Sequence, residues 1–176
     1  MEISTRREKL RKRLSDYWRL EIGNAFLVPA TAVFVAYTSE SSIGWLTILT
    51  FLPMCALLVL GGLYWRGKLL ALDGNDEALH AALRIADRFD GILCVTSFLA
   101  LGAALASWVF PQMSVSLGDR IAATVCGLLA ALEYVNYYHR QLQHFDNAAD
   151  FKRLISGKGF RKSQMAADLE RFRSTP

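Results

Sequence analysis

Apolar and polar positions along this chain fall into blocks instead of alternating. Ile22 to Ser39 runs for 18 residues without Asp, Glu, Lys or Arg, Ser41 to Trp65 for 25, and Gly91 to Gly118 for 28. At about 1.5 Å per helical residue, each block is long enough to cross roughly 30 Å of hydrocarbon. A fourth apolar run, Ile121 to Leu132, is too short alone. It reaches spanning length only if Glu133 lies within the membrane and the helix continues to about Tyr138.

These blocks predict an all-α integral membrane protein with four transmembrane helices in two hairpins and short amphipathic cytosolic helices. Residues 1–21 read as a basic amphipathic juxtamembrane helix, 22–64 as the first hairpin, 65–90 as a cytosolic connector, 91–138 as the second hairpin and 139–176 as a helical tail. Pro29 and Pro53 are expected to kink the first two spans. "TSESSI" supplies one outer turn, and Pro111 opens the other, "PQMSVSLGD". Asp73, Gly74 and Asn75 offer a turn and N-cap before a connector helix carrying Leu79, Leu83 and Ala86. In the tail, Asp146 is placed to cap a helix containing Phe151, Leu154 and Ile155. Ser163 is placed to cap another with Met165, Leu169 and Phe172 on one face. That face must bury itself against the chain's own inner loop, a second protomer, a soluble partner or the membrane surface. A slide of 73 residues lays "YWRGKLLALD" over "YYHRQLQHFD", which leaves a duplicated hairpin open.

Composition agrees with the blocks. Hydrophobic residues make up 53% of the 176, and the formal net charge is +4. Mean hydropathy is +0.23. Neither a disordered chain nor an ordinary soluble domain has that balance. The competing fold is a soluble bundle with long apolar core helices, and two patterns oppose it. First, threading four spans alternately puts seven Lys and Arg on the N-terminal segment, four on the 66–90 loop and eight from Arg140 onward, leaving only Arg120 on the other side. The positive-inside rule then places both termini in the cytoplasm, in an inner or plasma membrane. Second, Tyr17, Trp18, Tyr64, Trp65, Tyr134, Tyr137 and Tyr138 gather at one predicted boundary and Tyr37, Trp45 and Trp108 at the other, as two aromatic belts. The long charged region before Ile22 argues against a cleaved signal peptide. Cys55, Cys94 and Cys126 sit at different predicted depths, so a disulfide framework or redox pair is not expected.

Arg6, Arg7, Lys9, Arg11, Lys12 and Arg13 form the basic face of the juxtamembrane helix. Beside a span, this pattern points to an anionic inner leaflet in preference to nucleic acid, and no nucleic-acid partner is expected. Glu133 lies about 18 Å along its helix from Ile121, with Asn136 on the same face. Asn24, near the inner end of the first span, is a candidate neighbour, as are Arg19 and Arg66. An intramembrane carboxylate is costly and needs protein or water around it, so this group reads either as an ion or proton site or as an interhelical packing contact. Ala123, Gly127 and Ala131 on the fourth span, and Gly102 and Ala106 on the third, recur at four-residue intervals and predict close helix approach. Ala100 and Ala104 repeat that spacing. The leucines of the second span, Leu52, Leu57, Leu58, Leu60 and Leu63, read as facing lipid or a second subunit.

His139, His144, Asp146 and Asp150 are near each other in sequence, but His139 and His144 are five apart, about 140° around a helix. No metal site and no cofactor are expected. Asp87 and Asp90 read as solvated boundary charge, and "SGKGF" lacks the rest of a Walker A motif. The function expected is a homo-oligomeric pore or channel-like effector, or the membrane subunit of a larger complex, with a basic face for a cytosolic protein partner or signal. Competing readings are a lipid- or isoprenoid-processing membrane enzyme using Glu133, His139, Asp146 and Asp90, and a non-transporting scaffold.

Overall fold

The computed structural model describes residues 2–142, 156 and 159–174. Among these residues the chain is helical: α1 (Glu2–Thr38), α2 (Trp45–Ala71), α3 (Glu77–Val109), α4 (Leu117–Tyr138) and α5 (Gln164–Ser174), with a short 3-10 turn at Pro111–Met113. Four of these helices are long and apolar enough to cross a membrane. Large apolar side chains such as Phe26, Phe34, Leu52, Leu99 and Leu128 point outward, which suits a hydrocarbon solvent and not water. The predicted helix capped by Asp146 lies outside the described residues.

Two predicted boundaries vanish into continuous helices. The juxtamembrane segment and first span are one helix of 37 residues, roughly 55 Å long. The connector and third span are likewise one helix of 33 residues. Glycine weakens a helix by only about 1 kcal/mol. Gly23 and Gly91 are therefore poor stops where the backbone has no water to turn to. Pro29 and Pro53 likewise sit inside unbroken helices.

The turns do form where polar residues cluster. Gly74 takes φ +84° and the amides of Asp73 and Asn75 both return to the Leu70 carbonyl, closing α2. At the far end Glu40 adopts φ +49° while the Ser41 amide reaches back to Ala36, so a non-glycine residue holds the left-handed closing position at a cost of about 1 kcal/mol.

Helix α2 is the hub, packed against α1, α3 and α4. Leu57, Leu58 and Leu60 are buried there, which corrects the expectation that they face lipid or a second subunit, while Leu52 and Leu63 are exposed. Helices α3 and α4 meet backbone to backbone at Gly127, where an added Cβ would stand 3.1 Å from the Leu101 Cα. Ala123, Ala131, Ala100 and Ala104 share that buried seam. Gly102 does not: two residues from Ala100, it turns about 200° away and faces open space, and Ala106 is only half-buried. Gly67 serves α2 and α3 in the same way against the Leu79 backbone.

Helix α5 folds back over the end of the bundle that carries the basic segments. Ser163 caps it as expected, accepting from the Ala166 amide at 3.0 Å. Its Met165 and Leu169 join the same core as Met54 and Leu57. The tail therefore buries its apolar face on its own chain.

Candidate functional site

The basic end of the bundle holds the molecule's densest polar chemistry, in two layers. The outer layer is a clamp that fastens α5. Lys68 Nζ lies 2.8 Å from the Asp168 carboxylate, and the Tyr64 hydroxyl donates to the same oxygen at 2.7 Å. Arg173 reaches Asp87 at 2.5 Å and Asp90 at 3.0 Å, and Tyr134 donates to the other Asp90 oxygen at 2.8 Å. Those carboxylates raise the guanidinium pKa above its already high value, chiefly through the hydrogen bond to Asp87. Asp87 and Asp90 are thus docking residues for the tail and not merely solvated boundary charge.

The inner layer lies where α1, α2 and α4 converge. Glu21 of α1 is buried. Glu133 of α4 is half-buried, and Asn136 one turn on donates to it through Nδ2 at 3.3 Å. Asn136 is itself held by the Leu142 amide, which donates to its Oδ1 at 2.9 Å. Tyr137 stands beside both carboxylates, with Glu21 the nearer partner. Its hydroxyl interacts with the Glu21 carboxylate at a looser geometry than a normal hydrogen bond, and the residue is only 2% exposed. The ring occupies the space that a side chain at Gly61 would need, so that glycine on α2 is what admits it.

Of the residues singled out from sequence, Glu133 and Asn136 are together in this centre. Asn24 is exposed and stands apart from it. Arg19 and Arg66 lie over the Trp18 ring at 5.7 and 5.9 Å and make no ion pair with Glu21 or Glu133. Arg6, Arg7, Lys9, Arg11 and Lys12 are exposed along α1 and Arg13 is half-buried. Arg11 pairs with Asp73 at 2.7 Å, Arg7 donates to the Leu72 carbonyl, and Arg13 donates to Tyr17. His139 meets the edge of Tyr134, and His80 that of Phe172. Among the described residues no three His, Cys, Asp or Glu side chains gather as a metal site. His144, Asp146 and Asp150 lie outside the described residues.

Two acidic residues escaped the sequence reading. Glu21 follows Leu14 by seven residues and precedes Ala25 by four, and all three are buried, so the apolar face of α1 carried the signal. Asp119 sits at the opposite end, fully buried at 0% exposed. "SLGD" has capping-box spacing, and Ser116 does accept from the Asp119 amide at 3.0 Å. The Asp119 carboxylate, however, crosses to α2, accepting from the amides of Gly44 at 2.9 Å and Thr47 at 3.2 Å and from the Thr47 hydroxyl at 2.6 Å. Its second oxygen takes the Val115 amide at 3.2 Å. It caps a neighbouring helix, a role no local spacing encodes.

A groove of about 690 Å³ separates α1 from α4 in the half of the bundle away from the basic end. It is lined by Leu27 to Ser39 on one side and Leu117 to Cys126 on the other. Ala32 and Ala36 face Gly118 and Ala122 across it. These features define a small four-span helical membrane protein with a self-docked tail. No protein family, no curated protein and no solved structure matches this chain.

Proposed function

We propose that the protein is a homo-oligomeric, channel-like effector of an inner or plasma membrane, with both termini cytoplasmic and its basic end facing an anionic leaflet and a cytosolic partner or signal. The observation that carries this reading is the groove between α1 and α4. A single copy has no lumen, because α2, α3 and α4 close on one another through Gly127 and Gly67. Helix α1 by contrast is scarcely buried along its apolar stretch and packs mainly on α2.

In lipid, helix association depends on shape and close approach, since acyl chains are as apolar as leucine. The groove offers two small-residue pairs one turn apart, Ala32 with Ala36 and Gly118 with Ala122. On the outward side of α1, Phe26 and Phe34 are 73% and 65% exposed and provide the knobs. Insertion of α1 from one copy into the groove of another repeats the same contact from copy to copy, which builds a ring when the rotation between copies closes. The exposed Arg6, Arg7, Lys9 and Lys12 then lie together on the headgroups of one leaflet.

Particle mass in nanodiscs, with ion flux from liposomes, tests this. The wild-type chain is expected as a discrete multimer that releases ions, and the Ala36→Leu, Ala122→Leu double variant, which fills the groove, as a folded monomer without flux. A wild-type chain that is strictly monomeric contradicts the proposal.

A further inference from the structure

We infer that the cavity between the end of α4 and α5 is a binding site for a phosphate-bearing anion, either a lipid phosphomonoester headgroup or a soluble organic phosphate. The site deepens the reading of the basic end as the receiver of a signal and rests on that reading for its role. It needs only one copy of the chain, so it fails separately from the assembly proposed above.

After α4 the chain pairs briefly with the stretch before α5, in an antiparallel bridge that sets Arg140 directly opposite Lys162. On either side of this pair, the Gln141 amide donates to the Arg161 carbonyl at 2.9 Å and the Ser163 amide to the His139 carbonyl at 3.2 Å. Flanking bonds of this kind mark the closer antiparallel register, in which facing side chains leave the backbone on one side, about 5 Å apart. Like charges held there repel each other. The compensation within the protein is partial. Lys162 pairs with Glu170, but the two side chains are 42% and 67% exposed, and an ion pair so wet contributes little. Among the described residues Arg140 meets no carboxylate and donates to the Phe160 carbonyl at 3.3 Å. An anion between the two cations relieves the repulsion that the backbone imposes.

The same two cations open onto a cavity of about 430 Å³, with His139 and Arg173 also at its wall. Asp90 and Glu170 are the carboxylates there. Both Asp90 oxygens are already engaged, one by Tyr134 and the other by Arg173, so its charge is balanced from within. Phosphate suits the remaining pair, since it carries close to two negative charges and three acceptor oxygens at neutral pH. Arg140 offers a planar fork for two of those oxygens, and Lys162 a point charge for the third. The cavity is large enough for more than the phosphate alone, being within the range of about 300–1,000 Å³ that holds small organic ligands. Tyr138, whose hydroxyl is committed to the Ala86 carbonyl, lines it with Ala166 and Leu169 and gives the organic part an apolar wall.

The test uses the full chain in phosphatidylcholine nanodiscs and reads its thermal unfolding midpoint in two arms. In the first, sodium glycerol phosphate is titrated against sodium chloride of matched ionic strength, with equilibrium binding measured alongside. In the second, phosphatidic acid replaces part of the phosphatidylcholine. A saturable rise in the midpoint is expected in at least one arm, for the wild type and for Arg84→Gln, which removes an exposed cation outside the cavity. A rise with phosphatidic acid marks the lipid headgroup as the source, and a rise with glycerol phosphate alone marks a soluble one. Arg140→Gln and Lys162→Gln should each weaken the apparent affinity about tenfold, as loss of one charge-assisted contact would. Glu170→Gln frees Lys162 from its acid and should tighten it about threefold. No rise in either arm overturns the proposal, as does an equal rise in the Arg140 and Lys162 variants. If those variants fail to fold, Glu170→Gln decides: an affinity that is unchanged or weaker also overturns it.

Discussion

Asp119 illustrates how a single side chain ties two helices of this bundle together. The first amides of α2 have no partners within their own helix, and Gly44 has no side chain to cap them. The carboxylate of Asp119 takes that role from α4, and its charge also complements the positive end of the α2 dipole. An added Cβ at Gly44 would stand 2.6 Å from this carboxylate, so the contact requires glycine there. Asp119→Ala should destabilise the folded chain by about 2 kcal/mol, measured by reversible unfolding in mixed micelles, because several buried donors lose their acceptor at once. An unchanged unfolding midpoint would show that water replaces the carboxylate without loss. At this scale the sequence was only partly legible. Glu133 and Asn136 stood out as polar residues in an apolar run. Glu21 was hidden because it abuts the charged segment, and the α2 partners of Asp119 lie more than 70 positions away.

Among the helices, three of the four spans could be read directly, because an uncharged run of 18 or more residues has few other homes, and the fourth followed only by admitting Glu133 to the membrane. Where helices end within the polar segments could not be read. α1 and α3 continue past the predicted membrane boundaries because nothing there breaks them strongly enough. Packing faces were legible on α4 and ambiguous on α3. Ala100 with Ala104 and Gly102 with Ala106 are equally good small-residue patterns, and only the bundle selects the first. This choice has a measurable consequence. Gly127→Leu drives a side chain into the Leu101 backbone and should cost about 3 kcal/mol or cause misfolding, while Gly102→Leu faces open space and should lie within about 0.5 kcal/mol of wild type. The comparison is made by unfolding midpoint and by yield of folded protein from membranes. Equal tolerance at both positions would mean that α3 and α4 meet on another face.

The molecule as a whole is polarised. The start of α1, the turn between α2 and α3 and the docked α5 share one end, linked by Arg11 with Asp73 and Arg173 with Asp87 and Asp90. The turns around Glu40 and Pro111 occupy the other, joined through Ser41 and Ser116, whose hydroxyls are 3.0 Å apart. Among the described residues the basic side chains concentrate at the first end, and a single cation, Arg120, marks the second, stacked on Trp108 at 5.3 Å. Most of this polarity was visible in the order of charged and apolar blocks. The docking of the tail was not, since an amphipathic helix declares that it has a face to bury without naming the surface that receives it.

The most direct measurement is side-specific labelling in intact membranes. Cys55, Cys94 and Cys126 would be replaced by alanine, and one new cysteine at a time placed at Thr5, Asn75, Ser174, Glu40 or Gln112. With an impermeant maleimide, the first three positions should react from the cytoplasmic side and the last two only from the other. Labelling of Thr5 and Ser174 from opposite sides would contradict a four-span chain with its basic ends together.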